Sequence, residues 1–275
     1  MSILRPYQRQ ALDTLFNRLD EGPDTRLAIE MATGLGKTVT GAQAAVEWLD
    51  ATPVPLRAPR VLILVHTEEI TAQWEAKLKF AGGQRYSVGV VKADRNEVAA
   101  DIVVGSVQTL MNHGRRDQIR GVGFIIVDEC HHAVAPSYRY TLQWFNALSA
   151  DNDKTPESQL LRIPVLGLTA TLSRSDGQAL GHVWQDLAFS RSISWAQRKG
   201  YLLDVASWTI KVPDITAASS DVALDAMLAN GIAPEVVVKT WMDKACNLST
   251  VLFAPLVKSA QAFADAFNEA GVKAE

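Results

Sequence analysis

The sequence predicts an α/β fold, a doubly wound parallel sheet covered by helices on both faces, and three observations carry that reading. Short β-rich apolar runs alternate with stretches of helical rhythm through residues 1–204, the order of elements that a crossover-connected parallel sheet requires. Runs such as Val61-Leu62-Ile63-Leu64-Val65 and Phe124-Ile125-Ile126-Val127 are apolar at every position rather than at alternate ones, as strands buried on both faces are. A glycine-rich turn, Ala32-Thr33-Gly34-Leu35-Gly36-Lys37-Thr38, stands between the first predicted strand and the helix after it, where such sheets open their ligand crevice.

Taken in order, Ala11, Leu12, Leu15, Phe16 and Leu19 form the apolar stripe of a first helix, which Gly22-Pro23-Asp24 ends. Strands are predicted at residues 26–31, 60–66, 87–91, 101–105, 124–128 and 163–168. A helix carrying Trp74 and Leu78 separates the second strand from the third. Trp144, Phe145 and Leu148 read as helix core, and residues 151–157 as a surface loop. Beyond residue 204 the character changes: 205–212 alternates like a single strand, 213–221 reads as a linker, and a helix is expected over 234–246. Residues 250–254 then read as a buried strand, followed by a helix with Val257, Ala260, Phe263, Ala264 and Phe267 on one face and a stop at Gly271. One β-α unit cannot bury its own apolar faces. The expected organisation is therefore a domain over 1–204, a linker strand and helices over 205–247, and over 248–275 the opening of a second domain that is cut short.

Composition excludes several classes. At 48% hydrophobic and 21% charged residues the chain has the make-up of an ordinary globular protein. No apolar run approaches the roughly 18–20 residues of a membrane span, and the start, Met1-Ser2-Ile3-Leu4-Arg5-Pro6, has no secretory pattern. Cys130 and Cys246 alone make no disulfide framework, so a reducing, cytoplasmic location is expected. The net charge of −3 does not advertise charge-driven nucleic-acid binding.

Glycines in the 32–38 turn let successive backbone N–H groups point inward at phosphate oxygens, and the following helix adds its positive end. Lys37 would reach the β- and γ-phosphates, and the Thr38 hydroxyl would ligate Mg²⁺. The usual pattern starts on Gly where this chain has Met31. A dinucleotide-binding turn would instead need a third Gly where Val39 stands and has no use for Lys37-Thr38. The strand at 124–128 ends in Asp128-Glu129, at the edge where α/β sheets bind ligands. Asp128 would share the Mg²⁺ with Thr38, and Glu129 would orient and deprotonate an attacking water. Cys130, His131 and His132 are consecutive, a spacing unsuited to one zinc ion, and no second Cys or His cluster completes a set.

At this point the residues resemble the superfamily 2 (DEAD/DEAH-box) helicases. Asp128-Glu129-Cys130-His131 resembles the DExH box, and Leu168-Thr169-Ala170-Thr171 resembles motif III. Leu4-Arg5-Pro6-Tyr7-Gln8 is similar to the Q motif, which implies that Arg5 and Gln8 serve the nucleotide, Gln8 by reading the adenine edge. Val65-His66-Thr67-Glu68-Glu69-Ile70 with Gln73-Trp74 resembles motif Ia, and Val104-Gly105-Ser106-Val107-Gln108-Thr109-Leu110 the next strand-end motif. The resemblance implies that His66, Thr67, Gln73, Ser106 and Gln108 line a nucleic-acid track. It also implies that Thr33, Gly34, Leu35, Gly36, Lys37 and Thr38 cradle ATP, and that His131, Thr169 and Thr171 couple the two sites. Arg174-Ser175-Asp176-Gly177 and Gly200-Tyr201-Leu202-Leu203 look like the branch of repair translocases and type I and III restriction-enzyme motor subunits, which favours DNA over RNA.

The resemblance is dense over residues 4–204 and weak over 250–271, as motif IV. It implies a RecA-like P-loop NTPase, an ATP- and Mg²⁺-dependent helicase or translocase, and a second lobe or partner supplying the arginine fingers of motif VI. Residues 1–275 carry neither motif V nor motif VI, so they are expected to bind ATP·Mg²⁺ and turn it over slowly. Relatives of this branch carry Pro where Leu172 stands. Two readings stay open for Thr67, a phosphate contact or a helix cap, and two for His131, coupling or a satisfied core histidine. Arg115, Arg116 and Arg120 read as a solvated charged loop. Rival functions are a nucleotide-binding regulatory or structural module without catalysis, and a restriction-type translocase that moves along duplex DNA without unwinding it. A P-loop kinase lacks an acceptor lid between Gly177 and Gly200.

Overall fold

A computed structural model describes residues 4–21, 26–51, 60–82, 85–148, 163–171, 180–212, 218–245 and 248–275. The chain divides into two compact units, Met1–Asp204 and Val205–Glu275. The first runs α1 (Pro6–Glu21), β1 (Arg26–Met31), α2 (Lys37–Ala51), β2 (Arg60–Val65), α3 (Glu69–Gly82), β3 (Val88–Lys92), β4 (Arg95–Asn96) and β5 (Ile102–Ser106). It continues through α4 (Val107–Leu110), α5 (His113–Arg116), β6 (Val122–Asp128), α6 (Pro136–Trp144), β7 (Val165–Thr169), β8 (Asp186–Arg191) and α7 (Ile193–Arg198). One eight-stranded sheet results, in the order β4-β3-β5-β2-β6-β7-β1-β8. Its pairings are parallel except for the two-residue edge strand β4 against β3.

The runs that are apolar throughout have a direct structural cause. Along β2, Val61, Ile63 and Val65 point to one core and Leu62 and Leu64 to the other. The first core is closed by Tyr7, Leu12 and Leu15 of α1, Ala42 and Ala45 of α2, and Trp74 and Leu78 of α3. The opposite core is closed by Val107 and Leu110 of α4 and Tyr138 and Leu142 of α6. With side chains alternating across a strand, helices on both faces demand an apolar residue at every position.

Three expectations need correction here. Strand β8 was not foreseen: it is an edge strand in which only Phe189 is buried, so it has no apolar run to read. Trp144 is 46% exposed rather than core, whereas its neighbours Phe145 and Leu148 are buried. Arg116, expected in a solvated loop, is fully buried, its guanidinium 4.2 Å from the Trp144 ring centroid and 4.8 Å from that of Tyr140. A planar, weakly hydrated cation lies readily against aromatic faces, which composition alone does not reveal. Arg120 is exposed, and Arg115 donates to the backbone carbonyls of Lys92 and Ala93.

The second unit consists of α8 (Asp221–Asn230), α9 (Ala233–Lys244) and α10 (Val257–Glu269). Helix α8 went unread in the sequence, although Ser220 caps it by accepting from the Ala223 N–H. Residues 205–212 and 250–254, expected as strands, form none. Val205 is 78%, Val251 77% and Phe253 93% exposed, and among the described residues this unit holds no strand for them to pair with. An alternating or apolar pattern satisfies side chains, but a strand also needs a neighbour for its backbone groups. On α10, Phe263 and Phe267 are buried, while Val257 and Ala260, expected on the same buried face, are exposed. The turns expected at 22–24 and 151–157, Leu172 and the 174–177 element lie outside the described residues.

Candidate functional site

Strand order converts scattered motifs into one row. The carboxyl ends of β5, β2, β6, β7 and β1 are consecutive along the sheet, which lines up Ser106, His66, Asp128, Thr169 and the 32–36 turn. Neighbouring strands are about 4.8 Å apart, so β7 alone separates the acidic pair from the glycine-rich turn.

In that turn Gly34 and Gly36 have φ of +87° and +80°, values at which a Cβ is strained. A Cβ on Gly36 would also come within 2.6 Å of the Gln8 amide nitrogen, and one on Gly34 within 2.8 Å of Leu202. Leu35 is buried, Thr33 and Gly34 are exposed, and Lys37 and Thr38 open α2. The Tyr7 hydroxyl and the Gln8 amide both donate to the Leu35 carbonyl at 2.9 Å, and Gln8 Oε1 accepts from the Arg5 N–H at 2.8 Å. Gln8 is thus engaged with the turn's backbone. The Arg5 guanidinium lies 5.5 Å from the Tyr201 ring centroid.

Asp128 ends β6 only 6% exposed. Its Oδ2 accepts from the Trp74 indole N–H at 2.7 Å and its Oδ1 from the Glu129 N–H at 3.0 Å. Burial raises its pKa above the usual carboxylate range; the Trp74 hydrogen bond opposes that, and the Glu129 charge adds to it. Glu129 adopts the left-handed conformation, φ 46° and ψ 54°, at a cost of roughly 1 kcal/mol for a residue with a Cβ. The turn aims its carboxylate at the Lys37 ammonium, 3.9 Å away, and at His131 Nδ1, 3.3 Å away.

His131 Nδ1 also lies 3.0 Å from the Thr169 hydroxyl. That hydroxyl also lies 2.7 Å from the Thr171 carbonyl, so Thr169 stands between His131 and Thr171. Cys130 is buried, which pushes its thiol pKa well up. Among the described residues no group of three or more His, Cys, Asp or Glu side chains could hold a metal. The oxygen donors present, the Thr38 hydroxyl and the Asp128 carboxylate, suit a hard cation that keeps its waters and shares phosphate oxygens. A buried, ionisable Asp128 fits that group.

The residues expected along a nucleic-acid track differ in their access. His66, Gln73 and Gln108 are exposed. His66 stacks on His132, with centroids 4.4 Å apart and planes at 15°. At the start of α3 the Glu69 backbone N–H, then the Thr67 side chain, hold the Glu69 carboxyl below the usual range. Ser106 is fully buried; its oxygen caps α4 by accepting from the Thr109 N–H at 3.2 Å. The motif reading missed the Trp74–Asp128 bond. Its one signal was that a buried tryptophan must find an acceptor for its N–H.

No described helix is long and apolar enough to cross a membrane. The type III restriction enzyme res subunit family matches residues 2–174, more than half of the chain. Among curated sequences, the chain is 29% identical over 286 residues to a putative ATP-dependent helicase, IRC3, of Saccharomyces cerevisiae, covering 99% of this chain and 40% of that protein. It is 30% identical over 283 residues to a putative mitochondrial ATP-dependent helicase, irc3, of Schizosaccharomyces pombe, covering 98% and 44%. The chain thus spans less than half the length of these relatives. A nuclease-deletion mutant of the type ISP restriction-modification enzyme LlaGI, solved with a DNA substrate mimic, shares the fold at a TM-score of 0.51 and 16% identity, over 96% of this chain and 26% of that one. The chain belongs to the type III restriction enzyme res subunit family, within the superfamily 2 helicases.

Proposed function

We propose that the chain is the ATP-binding and ATP-hydrolysing part of a nucleic-acid-dependent helicase or translocase, with DNA as the favoured track. The observation that carries this reading is the approach of Glu129 to Lys37 across β7, beside a buried Asp128. A loop of inward N–H groups, a cation and a carboxylate base in that order are what phosphoryl transfer to water requires. Lys37 takes the β- and γ-phosphates and gives up its contact with Glu129, which leaves that carboxylate to orient a water and accept its proton. Thr38 and Asp128 would hold Mg²⁺, which would supply charge neutralisation at the phosphates. His131, through its contact with Thr169, ties the base to the strand end beside it and from there to Thr171. Gln8 and Arg5 complete the nucleotide side: Gln8 fixes the Leu35 carbonyl and serves the adenine edge with its remaining N–H and lone pair. His66, Thr67, Gln73, Ser106 and Gln108 belong to the track, of which His66, Gln73 and Gln108 present surface and Ser106 supports from within. The restriction-enzyme family name supports DNA.

The test is ATP binding and hydrolysis with and without single- and double-stranded DNA and RNA, beside Lys37→Ala and Glu129→Gln. Lys37→Ala should lose nucleotide affinity; Glu129→Gln should keep it and lose turnover. The resemblance puts arginine fingers in motif VI, which residues 1–275 do not carry, and such a finger contributes about 10³–10⁵ in rate. Turnover by these residues alone is therefore expected to be slow. Nucleotide binding indifferent to Lys37→Ala would remove the proposal.

A further inference from the structure

Trp74 occupies a place that a leucine or phenylalanine could fill if only volume were needed. It lies within α3, fully buried in the first core. What tryptophan adds is an N–H, and that N–H is spent on Asp128 Oδ2 at 2.7 Å. The other carboxylate oxygen takes the Glu129 backbone N–H at 3.0 Å. Two donors arriving from different elements fix the rotation of the carboxylate about its own bond, while each oxygen keeps a lone-pair direction for a further partner.

The indole ring is itself wedged in place. A Cβ on Gly41 of α2 would come within 2.6 Å of Trp74 Cη2 and 2.5 Å of Leu168 Cδ1. Gly41 is therefore the clearance that lets the ring pack against α2. One side chain thus packs against the helix that opens with Lys37 and bonds the carboxylate at the end of β6. A donor held this rigidly cannot follow Asp128 if it turns, so Asp128 is held to the donor.

We propose that Trp74 is a positioning residue for the cation-binding carboxylate: its indole N–H holds Asp128 in the orientation from which it serves the Mg²⁺ of the nucleotide. The inference rests on the reading of the site as one for ATP·Mg²⁺. Outer hydrogen-bond partners of metal-binding groups typically matter by about 10- to 100-fold in metal affinity.

The experiment is binding of a fluorescent, non-hydrolysable ATP analogue to the full chain, first in EDTA and then across a Mg²⁺ titration. Trp74→Phe keeps an aromatic ring in the core and removes the N–H. Leu78→Ala, one turn further along α3 and equally buried, damages the packing without touching Asp128. Trp74→Phe should bind the analogue in EDTA as the unaltered chain does, and need about ten-fold more Mg²⁺ for half-saturation. Leu78→Ala should leave the Mg²⁺ requirement unchanged. In an Asp128→Asn background, Trp74→Phe should add nothing further, since the two act through one contact. A Mg²⁺ requirement in Trp74→Phe within about two-fold of the unaltered chain, or an equal shift in Leu78→Ala, overturns the inference. If Trp74→Phe fails to fold, 3-benzothienylalanine at position 74, which keeps the indole shape with sulfur for N–H, decides in its place by the same criteria. Failure of the underlying reading is separate: the unaltered chain would then bind no nucleotide, or bind it equally after Lys37→Ala.

Discussion

The two units of this chain spend their apolar residues differently. In the first, β2 and β6 have strand partners on both sides and helices over both faces, and Phe124 at the start of the β6 core stacks on Trp48 with centroids 4.8 Å apart. In the second, three helices close around Phe263 and Phe267, while Val251, Phe253 and Val257 stand 77%, 93% and 83% exposed. Both regions read alike as hydropathy, yet only one of them converts it into burial. Apolar sequence becomes stability where a neighbour exists to cover it, and at roughly 25 cal/mol per Å² the exposed run contributes nothing.

The largest expected effect comes from breaking that contrast directly. Phe124→Ala should destabilise the first unit by about 3–5 kcal/mol, a lost ring plus the cavity it leaves. Phe253→Ala should change stability by no more than about 0.5 kcal/mol. Urea denaturation of both variants measures the difference. Equal losses would mean that Phe253 is covered in solution and that the contrast between the units is false.

A smaller effect sharpens the account of the second unit. Phe267 is 9% exposed and meets the Trp241 ring edge-on, with centroids 5.5 Å apart. Phe267→Ala should cost this unit about 2 kcal/mol. The loss should show as faster hydrogen exchange in α8, α9 and α10 while the amides of β2 and β6 stay protected. Loss of protection in both regions together would mean that they fold as one cooperative body.

The same contrast explains what could be read from the sequence. Strands β1, β2, β3, β5, β6 and β7 were legible from largely apolar runs, continuous in β2 where both faces are buried, and β8 was not, because an edge strand with one buried Phe189 leaves none. Residues 250–254 carried the strand signal without the partner that makes a strand. At the candidate site, Lys37 and Thr38 stood out because they open a helix after a glycine-rich turn, and Asp128 and Glu129 because they end an apolar strand. Their neighbours were harder, since which acceptor Trp74 finds, or that Gln8 grips the Leu35 carbonyl, depends on strand order and helix placement. Ser106 looked like a surface contact in its motif, yet its oxygen is committed to capping α4, a backbone need that local sequence shares with many serines.

The smallest expected effect concerns how the second unit holds its last helix. Leu256, the residue before α10, has no side chain to cap it, and the cap comes instead from Asp225 of α8, whose Oδ1 accepts the Ser259 N–H at 2.9 Å and the Ser259 hydroxyl. The Ser259 hydroxyl, then its backbone N–H, hold the Asp225 carboxyl below the usual range. A carboxyl whose pKa is depressed on folding contributes stability that is present above its unfolded value, about 3.9, and lost as pH falls through the folded value. Between pH 6 and pH 3 the second unit should therefore lose stability more steeply in the unaltered chain than in Asp225→Asn, whose amide oxygen keeps an acceptor but cannot titrate. Hydrogen exchange of the α10 amides as a function of pH, corrected for intrinsic rates, follows this unit alone. Parallel pH profiles for the two chains would show that the capping carboxylate is too solvent-screened to matter. A steeper unaltered profile would locate much of what secures α10 in one contact with α8, in a unit whose apolar residues are only partly covered.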